Sequence, residues 1–157
     1  MPPVLYATVV AIFALGAGAA TVSSLKDDIA DLAVPDAPWQ PGGLDGRVFA
    51  TSDVIHETDT VMEDELHFRN GRFQSARCQE YCDFGWSEYR TWQQDDVIHF
   101  TATTRCPDAP HTVVWLGTVT GDAIAFKGTW TTRRWYWTRQ LNATGAGREA
   151  SVPVAAG

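Results

Sequence analysis

The chain has 157 residues, with 12 Lys or Arg against 19 Asp or Glu and a net charge of -7, which suits one domain of ordinary size with extensions. The charge is uneven: up to Glu65 eleven acids face only Lys26 and Arg47, and beyond it ten cations stand against eight acids. An acidic first half and a nearly balanced second half offer no face to a phosphate backbone, so nucleic acid is not an expected partner.

The opening MPPVLYATVVAIFALGAGAATVSS has no charged side chain, and its apolar run from Val4 to Val22 is long enough to cross a bilayer. Two readings of residues 1–24 stay open. One is a signal peptide cut at the small-x-small site Ala17-Gly18-Ala19; the other is an uncleaved transmembrane anchor, toward which the lack of a basic start weighs. Both predict export of the rest: to the periplasmic face of the inner membrane if anchored, periplasmic or secreted if cut. Residues 25–43 follow, rich in Asp, Ala, Pro and Gly, and read as an acidic linker that begins in a short helix.

From residue 44 the pattern changes to period two. In DVIHFTATT, Ile98, Phe100 and Ala102 alternate with Val97, His99 and Thr101; VVWLGTVT puts Val113, Trp115, Gly117 and Val119 on one face; DAIAFKGTW does the same with Ile124, Phe126, Gly128 and Trp130. Such alternation, enriched in aromatic and β-branched residues, predicts half-buried antiparallel strands. Asn70-Gly71, Gln94-Asp95-Asp96 and Gly121-Asp122 are turn signals between them. The expectation is all-β, with strands near 46–51, 65–69, 72–77, 87–93, 97–104, 112–120, 123–131 and 135–142. A domain over 44–143 is thus preceded by an apolar helix and followed by a flexible tail, 144–157.

Strands one short turn apart form a meander, and a meander of this length hides its edges most simply as an eight-stranded up-and-down barrel. A sandwich would need longer crossovers. Alternate connections of a meander lie at the same end. The turns near 70, 95 and 121 therefore close one end, while the connection 52–64, the loops 78–86 and 105–111 and the turn 132–134 meet at the other.

That second end holds all three cysteines. Residues four apart on a strand lie about 13 Å apart, beyond disulfide reach, so Cys78 with Cys82 would need a tight turn. Cys82 with Cys106 staples two neighbouring loops and is the first choice, with Cys78 left as a buried thiol; Cys78 with Cys106 is the second. Zinc on Cys78, Cys82, Cys106 and His111 is the alternative, but it lacks the usual second Cys-x2-Cys knuckle.

LDGRVF, DELHFRNGRFQSARCQEYC, VVWLGTVTGDAIAFKGTWT and WYW resemble a family of small exported bacterial proteins of unassigned function with a lipocalin-like, or calycin-like, barrel. The matching positions are Leu44, Asp45, Gly46, Gly71, Phe73, Ser75, Cys78, Trp115, Gly117, Val119, Gly121 and Asp122. The resemblance implies an architecture and no activity. Cys82 and Cys106 depart from it, which favours pairing these two.

The open end also collects Trp86, His111, Arg133, Arg134 and Trp135, the expected ligand- or partner-binding residues. Arg133 and Arg134 could hold a carboxylate, or simply pair with Glu63, Asp64 and Glu65 of the neighbouring loop. Trp115 and Trp130 read as core. No nucleophile elbow, phosphate loop or paired-carboxylate motif occurs, so no enzyme, cofactor or metal is expected. Two functions remain: a binding module with a small apolar or amphipathic ligand, marked by a cavity behind Trp86 and Trp135 lined by Ala102, Gly117 and Gly128; or an accessory subunit of a membrane complex, marked by a filled interior.

Overall fold

A computed structural model describes residues 33–151. The expected apolar helix at 1–24, the start of the linker and the last six residues lie outside the described part. The elements are β1 (Gln40–Pro41), β2 (Val48–Ile55), β3 (Thr60–Arg69), β4 (Arg72–Ser75), α1 (Ala76–Cys82), β5 (Ser87–Gln94), β6 (Val97–Arg105), β7 (His111–Thr120), β8 (Ala123–Arg134) and β9 (Trp137–Glu149).

Strands β2 to β9 pair each with the next, and β9 pairs back onto β2, so eight antiparallel strands form a closed ring. That closure rules out two separate packed sheets. The expected distribution of turns also holds: Asn70-Gly71, both at positive φ, Asp95-Asp96 and Gly121-Asp122 lie at one end, and the other connections between consecutive strands of the ring lie at the opposite end. The short β1 pairs with β5 along the strand beyond the reach of β4, with Gln40 opposite Thr91, so the second half of the linker is part of the sheet. Trp39 packs edge-on against Trp92, and the Thr91 hydroxyl donates to the Gly42 carbonyl at 2.6 Å.

Three expected boundaries are corrected. The first hairpin has no long connection: β2 runs to Ile55 and β3 starts at Thr60, joined by His56 to Asp59. Its inward row reads Phe49, Thr51, Asp53, Ile55 on one strand and Met62, Asp64, Leu66, Phe68 on the other, and the polar members mask the alternation. Residues 144–149, expected in the tail, pair with both β2 and β8. Their small side chains are required: a Cβ on Gly145 would collide with Asp53 and Phe126, and one on Gly147 with the Ala50 backbone. Finally, strand gives way to helix at Ala76, because Ser75 caps α1 by accepting from the Cys78 amide at 3.0 Å.

The closed end is packed solid. Phe68 stands at its centre, with ring centroids 4.9 to 6.0 Å from Phe49, Phe73, Tyr89 and Phe100. Leu44, Leu66, Val119 and Ile124 fill the remainder, and Phe100 occupies the space above Gly117. The Leu44-Asp45-Gly46 sequence is a structural plug here. The Tyr89 hydroxyl donates to Asp45 and accepts from the Leu44 amide, while Asp45 also receives the Gly71 amide at 2.9 Å. Arg47 pairs with Glu149 at 2.6 Å and donates to the Gly121 carbonyl, tying the first strand of the ring to the last.

Candidate functional site

Toward the other end the aromatic packing stops and the ring encloses a cavity of about 430 Å³, within the size range of small-molecule sites. Ile55, Met62, Val113, Trp115, Phe126, Gly128, Trp130, Leu141 and Ala143 form apolar walls. The strand registers order the polar lining by depth. Arg134, Trp137 and Arg139 belong to the last rungs before the β8–β9 turn and ring the mouth, together with Tyr81, His111 and Thr132. Asp53 lies further in, opposite Met62 on β3 and Gly145 on β9, whose own partner is Phe126.

Asp53 and Asp64 are the two carboxylates of the cavity, only 3% and 7% exposed. Asp64 is satisfied by its surroundings. It accepts from the Ser75 hydroxyl, from the Arg77 amide at 2.9 Å and from the Glu65 amide at 2.7 Å, and burial raises its pKa against these bonds. Asp53 is not satisfied: among the described residues its Oδ1 is buried without a hydrogen-bond partner, and so is the Thr51 hydroxyl one inward position away. Burial pushes the Asp53 carboxyl up to about 6; the nearby Thr51 hydroxyl opposes the rise, and the charges of Asp64 and Glu63 add to it. A buried acceptor left without a donor costs about 1–3 kcal/mol.

The aromatic walls are held by hydrogen bonds and by packing among the lining residues and their neighbours. Trp115 donates its indole N–H to Thr104 at 3.0 Å, and Trp130 donates to Thr132 at 3.1 Å while packing against Tyr81, Phe84 and His111. His111 is hydrogen-bonded to the Thr132 hydroxyl at 2.9 Å, and partial burial with the Arg134 guanidinium nearby lowers its pKa. The imidazole is therefore a neutral hydrogen-bonding group at physiological pH. Glu57 clasps Asn142 through both its backbone and side-chain N–H groups at 2.8 Å, fixing the β2–β3 turn against β9 beside the mouth.

Of the residues singled out in the sequence, His111 and Arg134 line the cavity. Trp86, Arg133 and Trp135 do not. Trp86 packs edge-on against His67 on the outer face, Arg133 is exposed, and Trp135 stands 94% exposed at the tip of the β8–β9 turn. Neither Arg133 nor Arg134 pairs with Glu63, Asp64 or Glu65 among the described residues. Cys82 and Cys106 come together at bonding distance, with Cα atoms 5.7 Å apart, joining the end of α1 to the β6–β7 loop. Cys78 is free and buried against the cavity, and burial pushes its thiol up to about 12. With two cysteines consumed by each other, the Cys3His set is not assembled; the described residues hold no cluster of three or more metal-type ligands.

Asp53, Arg77, Tyr81 and Arg139 were missed, and Asp64, expected at this end as a partner for the two arginines, lines the cavity instead. The parity of an acid on a strand was the available signal: Asp53 falls on the Phe49, Thr51 row and Asp64 on the Leu66, Phe68 row, which a charge count ignores. Compared with protein families, curated proteins and solved structures, the chain finds no match. No helix among the described residues is long and apolar enough to cross a membrane; the apolar run lies outside them.

Proposed function

We propose that this is a noncatalytic, exported binding module of the lipocalin-like barrel kind, which carries a small amphipathic molecule in the open end of its ring. The observation that carries this reading is the 430 Å³ cavity with aromatic walls and a buried carboxylate whose oxygen has no partner. Apolar walls with a few placed polar groups are what small-molecule sites share. Export is supported by the Cys82–Cys106 pair, which suits an oxidising compartment, and by the apolar run at 1–24.

The test uses an uncharged dye, N-phenyl-1-naphthylamine, whose emission rises in apolar surroundings. Saturable one-site binding that quenches tryptophan emission is expected, because Trp115 and Trp130 form the wall. Gly128→Leu is the control. A Cβ at Gly128 meets Val113 and Trp115 only at ordinary contact distance, 3.8 to 3.9 Å, so the leucine fills the cavity without straining the strand. Binding lost in this variant supports the proposal; no saturable binding to the unaltered protein, or binding indifferent to the leucine, overturns it.

The alternative, an accessory subunit of a membrane complex, draws on the tip of the β8–β9 turn. Trp135 and Tyr136 are 94% and 63% exposed there beside Arg133 and Arg134, a composition enriched at protein interfaces.

A further inference from the structure

The cavity's polar groups are arranged asymmetrically by depth. At the mouth stand cations: Arg134 and Arg139 are exposed, and among the described residues neither takes part in an ion pair. Inside stand two carboxylates. The side chain of Arg77, the third arginine of the lining, is directed to the Glu63 carbonyl and to Glu80 rather than to them.

Of the two carboxylates, Asp64 has its donors supplied by Ser75 and two backbone amides, whereas Asp53 has no cation and no donor on Oδ1. Among the described residues the elements packed around Asp53 offer it no cation, and the Thr51 hydroxyl on its own strand lies near enough to oppose the rise in its pKa without forming a hydrogen bond. β3 presents Met62, Asp64 and the nearby Glu63; β8 and β9 present Phe126 and Gly145; α1 contributes Cys78, a thiol that stays protonated. Gly145 is needed for the carboxylate to fit at all. The protein thus makes room for a buried acid on the lining of an apolar chamber and supplies it with no cation among the described residues.

We propose, resting on the reading of this cavity as a ligand site, that the ligand is an amphipathic organic amine bound ammonium-first, its cationic group on Asp53 and its apolar body between Trp115, Phe126 and Trp130. A charge-assisted N–H bond to a desolvated carboxylate is among the stronger hydrogen bonds available. An anionic ligand inserted the same way would meet Asp53 and Asp64 and is rejected; its charge stops at Arg134 and Arg139. A neutral alcohol can bond to Asp53 but gains no charge pairing.

Three probes of one shape decide this by calorimetry with the unaltered protein at pH 7.5: 2-(1-naphthyl)ethylamine, 2-(1-naphthyl)ethanol and 1-naphthaleneacetate. The amine is expected to bind tighter than the alcohol by about tenfold or more, and the acetate weakest. Asp53→Asn should bring amine and alcohol within about threefold of each other while the alcohol keeps its affinity. Lowering the pH toward 5 should erode the amine's advantage in the unaltered protein as the inner carboxyls take up protons, a readout that needs no variant. Equal affinities, or tightest binding of the acetate, overturn the amine assignment and leave the cavity reading standing. An amine preference that survives Asp53→Asn places the charge pairing elsewhere and overturns it as well. If none of the three binds and the uncharged dye also fails, the cavity reading falls with it.

Discussion

Asp53 gives a single side chain a measurable effect on the whole fold. Its carboxyl titrates near 6 in the folded state against 3.8 for the ordinary group, so the folded protein holds the proton more tightly than the unfolded chain. Stability is then greatest below the lower value and declines as pH rises from about 4 to about 6, where the unfolded state ionises and the folded state resists. After screening, the decline attributable to Asp53 amounts to about 1–2 kcal/mol. Denaturant melts at pH 5 and pH 7.5 should show it, and Asp53→Asn should be the more stable protein at pH 7.5 with most of the slope removed. Asp64 acts in the same direction through its own burial, so some slope remains. At the neighbouring position, Gly145→Ala should destabilise by about 1–3 kcal/mol through overpacking, because the added methyl meets the Asp53 carboxylate and the Phe126 ring together. A melt indistinguishable from the parent would mean that the carboxylate swings aside.

At the scale of elements, α1 shows how a short helix is held where its own propensity is weak. It has seven residues, no acid in its first turn and no base in its last, so its two ends carry the load. Ser75 caps the start and simultaneously donates to Asp64, and Cys82 is joined to Cys106 at the finish. Ser75→Ala removes both bonds and should cost about 1–2 kcal/mol or more. Cys106→Ser opens a link across 24 positions and should cost about 2–4 kcal/mol in the same melts. Cys78 should resist alkylation in the native protein and react once denaturant is added, since it is buried and its thiol is pushed up to about 12. The helix itself was not legible: seven residues of ARCQEYC have too little periodicity to set against the strand that precedes them. The strands β6 to β8 were legible because Phe100, Val113, Trp115, Val119, Ile124 and Phe126 recur at every second or fourth position with smaller or more exposed residues between them. β2 and β3 were half legible, since the chain places Thr51, Asp53 and Asp64 on the inward row. The pattern failed at the site because the site consists of polar residues where the core rule expects apolar ones.

For the molecule as a whole, the decisive segment is the one that looked expendable. Residues 144–149, TGAGRE, supply the last rungs between β9 and β2, and without them the ring is an open sheet with two bare edges. Truncation after Ala143 should therefore abolish cooperative unfolding in circular dichroism, whereas truncation after Ser151 should leave the melt unchanged. A folded, cooperative product of the shorter truncation would show that closure contributes little. Glycine and alanine read as flexibility in a sequence; here they permit the close approach of Gly147 to Ala50.

Closure through β9 also sets a direction. The Ala150 amide bonds to the Val48 carbonyl at 2.8 Å, and the incoming segment reaches the ring at Trp39 and Gln40 beside Trp92 and Thr91 of β5, so both exits of the chain leave toward the packed end. The mouth is at the other pole. A copy tethered by either exit, to a bead, a fusion partner or a surface, would hold its opening outward, like a cup fixed by its base.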